Sequence, residues 1–140
     1  MALAMTKDER EAFLAGVHVG VLSVTAPGRG PLSAPVWYGY EPGGDVIILT
    51  GTNAPKTAML REQGRATLVA QSEQAPYVYV TVEGPVTLEP VAGDDSLTMA
   101  VRYLGPEMGK RYAEGGSEGS VKVRLTPLRW RSEDYRKLGL

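Results

Sequence analysis

The residue types best suited to chemistry in this chain lie in ILTGTNAPKTAML, residues 47–59. Apolar residues stop after Leu49 and resume from Ala58, and between them lie hydroxyls, a glycine, an asparagine and Lys56. A plain surface turn needs only Gly, Pro or Asn. Here a strand runs into a polar loop that opens a helix. The first backbone N–H groups of a helix lack intrahelical partners and attract anions, and a lysine adds a point charge. Pro55 suits the first turn, where its missing N–H has no partner to lose. The pattern points to a bound anion; the plainer reading is a capped helix with a solvated lysine.

Other chemistries have little to draw on. The chain has no cysteine, which excludes disulfides, thiol catalysis and cysteine-ligated metals. One histidine, His18, cannot supply the usual zinc sets, and no metal site is expected. His18 lies in an apolar segment and reads as a core residue, with no nucleophile-elbow motif beside it. Gly28-Arg29-Gly30 is a turn and lacks the spacing of a dinucleotide fingerprint. Asp94-Asp95 reads as a helix start, where acids are favoured, and not as a metal pair.

The bulk numbers narrow the partners. Lys and Arg total 15 against 16 Asp and Glu, a net charge of -1 with pI near 5.9, which speaks against nucleic acid. Hydrophobic residues make up 43% and charged residues 22%, an ordinary globular balance. No apolar run approaches a membrane span. The segment MALAMTKDEREAF carries acids early and has no long apolar stretch, so it does not read as a secretory signal, and a cytoplasmic protein is expected. A length of 140 residues fits one domain, 1–140.

The elements that position the loop follow from periodicity. Thr6 and Glu9 have capping-box spacing at a helix start, and Gly16 marks its stop. Strands are expected over 17–25, 32–40, 46–50, 65–71, 77–88 and 121–125. The apolar run VIILT (46–50) reads as buried on both faces, whereas 77–88 alternates, with Val78, Val80 and Val82 on one face and Tyr77, Tyr79 and Thr81 on the other. KTAMLREQ forms a short helix ended by Gly64. DDSLTMAVRYLG places Leu97, Ala100, Val101 and Leu104 at helical spacing, with Gly105-Pro106 as a stop. AEGGSEGS (113–120) reads as a mobile loop. Six or seven strands, tight turns and short inserted helices predict a mainly β fold, a small antiparallel barrel with peripheral helices.

The order of these segments is recognisable. A strand with PVWY, a hairpin, a strand ending in Thr, a polar loop with Lys opening a helix, then GRATLVAQ and YVTVEGPV together resemble the pyridoxamine-phosphate-oxidase-like split-barrel family of flavin and deazaflavin proteins. The resemblance covers about residues 20–88, and RYLG (102–105) and RWRSEDY (129–135) look like segments of its actinobacterial members. It implies a homodimeric split barrel whose strand–loop–helix binds the cofactor phosphate. Lys56 would be the phosphate cation, and Thr50, Thr52, Asn53 and Thr57 would give hydroxyl, amide and backbone contacts. The family also implies that Pro35, Val36, Trp37 and Tyr38 lie near the isoalloxazine ring. Tyr79 falls near where true oxidases carry a glutamine.

Two departures narrow the activity. PLSAP lacks the additional phosphate-binding arginine of true pyridoxamine-phosphate oxidases, and the closing RWRSEDYRKLGL lacks their histidine. Oxidation of vitamin B6 is therefore not expected. The resemblance implies an FMN- or coenzyme F-420-dependent oxidoreductase that transfers hydride to a small unsaturated organic substrate, with F-420 slightly preferred. The alternative is a non-catalytic binding or storage protein for flavin, F-420 or haem.

Overall fold

The computed structural model describes residues 2–139. The elements run α1 (Lys7–Ala15), β1 (Gly20–Val24), β2 (Leu32–Val36), β3 (Val46–Gly51), α2 (Pro55–Gln63), β4 (Arg65–Gln71), β5 (Val78–Pro90), α3 (Asp95–Leu104), α4 (Pro106–Ala113), β6 (Ser120–Leu125), β7 (Arg129–Asp134) and a closing 3-10 turn (Tyr135–Leu138). Several local signals act as their chemistry dictates. Thr6 Oγ1 accepts from Glu9 N while Glu9 Oε1 accepts from Thr6 N, so both halves of the capping box form. Gly64 ends α2 in the left-handed region at φ 66°, where a Cβ would be strained.

The seven strands make one antiparallel sheet in the order β2-β1-β4-β5-β6-β3, with β7 also paired to β5. It curls into a half-barrel. Reciprocal hydrogen bonds of 2.9 Å between Gly39 and Ile47 tie the segment after β2, at one edge, to β3 at the other. The long strand β5 is the spine. Along one edge it pairs first with β7 and then, beyond Gly84, with β6. At that switch the chain linking β6 to β7 passes so close that a Cβ on Gly84 would lie 1.8 Å from the Thr126 carbonyl oxygen. Only glycine allows the approach.

The core lies inside the curl. Val78, Val80 and Val82 of β5 are at most 2% exposed and pack with Leu22, Leu68, Ile48, Val123 and Leu125, closed at the ends by Leu14 of α1 and Leu60 of α2. Burying each such side chain stabilises the fold by about 1.5–3 kcal/mol relative to leaving it exposed. The expectation of a doubly buried β3 is corrected here: Val46, Ile48 and Thr50 are buried, whereas Ile47 and Leu49 are only half-buried and line cavities. The expected stop at Gly105-Pro106 holds, since α3 ends at Leu104 with Gly105 as its cap, but a further helix, α4, begins at once. Gly105 takes φ 84° and Pro106 occupies the first turn of α4, a position as natural for proline as the end of a helix. α3 and α4 then pack on each other so closely that a Cβ on Gly109 would lie 2.6 Å from Val101 Cα. Leu97, expected on the buried stripe of α3, is 39% exposed, while Met99 and Ala100 are buried.

Candidate functional site

The site is assembled by β2, the β3–α2 loop and the α3–α4 hairpin. A cavity of about 310 Å³ is lined by Pro35, Val36 and Trp37 from β2 and its continuation, Leu49 from β3 and Lys56 from α2. Ser96, Met99 and Ala100 of α3, Tyr112 and Ala113 of α4, and Gly116 and Ser120 complete it. Residues expected from two distant stretches of sequence therefore meet around one space. Its size suits a small ligand.

Part of the lining is cationic. Lys56 is half-buried, stands at the second helical position of α2, and has no carboxylate within ion-pair distance among the described residues. No side chain caps this helix, so its N-terminal dipole is left for an anion. A lysine at the positive end of a helix is unfavourable by itself. Its placement makes sense when a negative group sits beside it.

The other loop residues stand elsewhere. Thr52 and Asn53 are exposed on the turn, and the Thr52 amide donates to the Gly119 carbonyl at 2.7 Å. Thr50 is buried on the inner face of β3. Thr57 is fully buried and its hydroxyl donates to the Gly51 carbonyl, leaving no proton for an anion. Of the loop, Lys56 alone lines the cavity.

Another part of the lining is aromatic. Trp37 stacks on Tyr103 with centroids 4.9 Å apart and planes within 6°, and Tyr112 meets Trp37 at 5.4 Å and 48°. Tyr103 is locked: its hydroxyl accepts from Tyr38 N at 2.9 Å and faces the carbonyls of His18 and Tyr38 at 2.6 and 3.0 Å, donating to one at a time. Arg102 anchors the same helix by donating to the Ala15 and Gly16 carbonyls at 3.1 and 2.8 Å. Nothing in the spacing of the sequence joins Trp37 to residues 103 and 112. The helix hairpin that brings them together follows the corner at Gly105, which reads locally as a stop.

Tyr38 and Tyr79 do not line this cavity. Tyr38 is fully buried, its hydroxyl donates to the Leu14 carbonyl at 2.7 Å, and burial pushes its phenol further up from the usual range. It stays protonated and committed to the core. Tyr79 stands half-exposed on the outer face of the sheet, paired across to Gln71 and Glu133. His18 stacks on Phe13 at 4.3 Å and donates Nε2–H to its carbonyl at 3.0 Å, while burial and then Arg102 hold its pKa below the usual value. It is a neutral packing residue. Among the described residues no group of three or more His, Asp and Glu is placed to hold a metal.

A second cavity of about 430 Å³ adjoins the first and shares Leu49 and Met99 with it. Its rim carries Arg124, paired with Glu89 at 2.8 Å and Asp45 at 3.6 Å, and Asp95, paired with Lys122 at 3.0 Å. Arg102 and Tyr40 also line it, and burial pushes the Tyr40 phenol up to about 12.

The family model described as Pyridoxamine 5'-phosphate oxidase matches residues 6–127. The chain belongs to this family. No curated protein sequence matches this family member. Among solved structures it is similar to a conserved hypothetical protein from Mycobacterium tuberculosis, with a TM-score of 0.80, 24% identity, and coverage of 100% of this chain and 92% of that one. An F-420 reductase matches with a TM-score of 0.71 and 20% identity over 86% of this chain and 94% of its own. An FAD-binding protein from Mesorhizobium loti matches with a TM-score of 0.68 and 16% identity over 92% and 93%. At these identities the likeness is one of fold, the split barrel of the pyridoxamine-phosphate oxidases. Among the described residues no helix is long and apolar enough to cross a membrane.

Proposed function

We propose that the protein is a homodimeric oxidoreductase that binds FMN or coenzyme F-420 and acts on a small unsaturated organic substrate. One observation carries the reading: Lys56 at an uncapped helix start and the Pro35–Trp37 segment, far apart in sequence, line a single cavity. A cation with no acidic partner among the described residues suits a phosphate, and an apolar, aromatic wall suits a flat ring. The solved F-420 reductase and FAD-binding protein of the same fold are in keeping with this.

In this reading the Lys56 ammonium and its backbone N–H hold the phosphate, while Pro35, Val36 and Trp37 orient the ring. Leu49, Met99 and Ala100 exclude water. When bound, FMN or F-420 supplies the hydride chemistry, and the chain contributes orientation and a dry wall. The adjoining cavity that shares Leu49 and Met99 offers room for a small conjugated substrate. Thr52 and Asn53 remain within the loop that would border the phosphate, and Tyr79 would approach the cofactor only across a dimer interface.

Support for the dimer comes from exposed apolar side chains in β1 and in the segments just before β1 and β5. Val17, Val19, Val21 and Tyr77 are each at least 40% exposed, and Val21 pairs across to Pro35 and Val69. Exposed apolar side chains of this kind suit an interaction surface. The test is an absorbance titration of the purified protein with FMN and with F-420, followed by turnover of the reduced cofactor with enones and quinones. Saturable binding and turnover are expected. Binding of neither cofactor would overturn the reading.

A further inference from the structure

The aromatic part of the cavity lining has one rigid ring and one free one. Trp37 is backed by Tyr103 in a near-parallel stack, and Tyr103 is fixed by hydrogen bonds to the main chain of two separate segments. Tyr112 is unlike them. It is 65% exposed, its hydroxyl has no hydrogen bond among the described residues, and it sits in the last turn of α4 just before the glycine-rich segment 115–119. It touches Trp37 at 48°, with neither the parallel overlap of a stack nor the perpendicular edge of a T-shape.

We propose that Tyr112 closes the cavity over the ring of the bound cofactor and so selects for a flat, aromatic ligand. The inference rests on the cofactor reading above. Trp37 cannot yield, because Tyr103 occupies its back, whereas Tyr112 swings on an exposed side chain with nothing to break. A flat ring entering beside Trp37 displaces the tilted contact and gains an aromatic neighbour on its outer side. The α3–α4 hairpin is built to carry this residue: Gly109 lets α4 lie directly on α3, which Tyr103 and Arg102 pin to the barrel. Lys56, lining the same cavity, serves the phosphate and not the ring.

The experiment separates the cationic and aromatic parts of the lining. The parent protein, Tyr112→Ala, Tyr112→Phe and Lys56→Ala are titrated with FMN, F-420 and riboflavin, the last a flavin ring without phosphate. Met108→Ala, an exposed residue of the same helix outside the cavity, is the control. Tyr112→Ala is expected to weaken FMN and riboflavin alike by about two- to tenfold, the size of one aromatic pair. Tyr112→Phe should restore the parent affinity, and Lys56→Ala should weaken FMN while sparing riboflavin. FMN binding by Tyr112→Ala at parent strength, with Lys56→Ala impaired, overturns the role of Tyr112 and leaves the cofactor reading standing. A parent protein that binds neither FMN nor F-420 overturns both.

Discussion

Replacing Lys56 with alanine separates binding from folding. Lys56 stands at the second position of α2, where the helix dipole is positive, and has no acidic partner among the described residues. A cation there costs about 0.3–1 kcal/mol at low ionic strength. Its removal relieves that repulsion and loses some packing of a half-buried stem, so the free protein should melt within a degree or two of the parent. A hydrogen bond to a charged phosphate is worth roughly 1.5–3 kcal/mol net, which is about ten- to a hundredfold in affinity. A ligand at a hundred times its dissociation constant stabilises the folded state by about 2.7 kcal/mol. At the same ligand concentration the Lys56→Ala protein should gain only about 0.4–1.4 kcal/mol, because the ratio falls to between about one and ten. The assay is a melting curve of each protein with and without FMN or F-420, alongside direct titration. Arg29→Ala, an exposed turn arginine outside this cavity, is the control. Lys7 would be a poor one, since it pairs with the buried Glu11 carboxylate. Equal ligand-induced stabilisation of the Lys56→Ala and parent proteins would falsify the phosphate role.

Gly84→Ala forces a Cβ onto the Thr126 carbonyl, and denaturant unfolding should show a loss of about 3 kcal/mol; a loss under 1 kcal/mol would mean the β5 crossing relaxes freely. The Glu11 carboxylate accepts from Lys7 Nζ, from the Gly43 amide at 2.7 Å and from Tyr40 at 3.1 Å, and these bonds, Lys7 first, hold its pKa below the usual 4.5. Its folded pKa is depressed, so the stability it contributes is present above pH 4.5 and is lost as pH falls through the lower folded value. Glu11→Gln should therefore flatten the acid arm of the stability curve, and an unchanged arm would assign acid unfolding to other carboxylates. Light scattering of the cofactor-bound protein should give twice the 15.0 kDa chain mass, whereas a monomer at micromolar concentration would remove the shared site. F-420 binding should weaken with added salt more than FMN binding, because its charged tail would leave the cavity through screened solvent; equal slopes would count against a tail contact.

What the sequence determined by itself was local. Thr6 and Glu9 cap α1 because both partners lie within three residues, and Gly64 ends α2 because a glycine can take positive φ at no steric cost. The valines of β5 turn inward because alternation survives any packing partner. The resemblance built on Pro35–Tyr38 and Lys56 holds at the level of family. Tertiary structure decided the rest. Gly105-Pro106 ends α3 as its local signal dictates, but that α4 starts at Pro106 and folds back on α3 depends on the close packing of Gly109 on Val101. An apolar run such as VIILT is compatible with two covered faces or with one covered face and a cavity; the α3–α4 hairpin standing off Ile47 and Leu49 makes it the latter. Tyr38 lies one residue beyond Trp37 and so faces the other way, into the core, a consequence of strand pleating once the inner face is known. Tyr112 reaches Trp37 across 75 positions of sequence. Pairs so distant meet only after the half-barrel has closed, because their proximity is set by the sheet between them and not by any spacing along the chain.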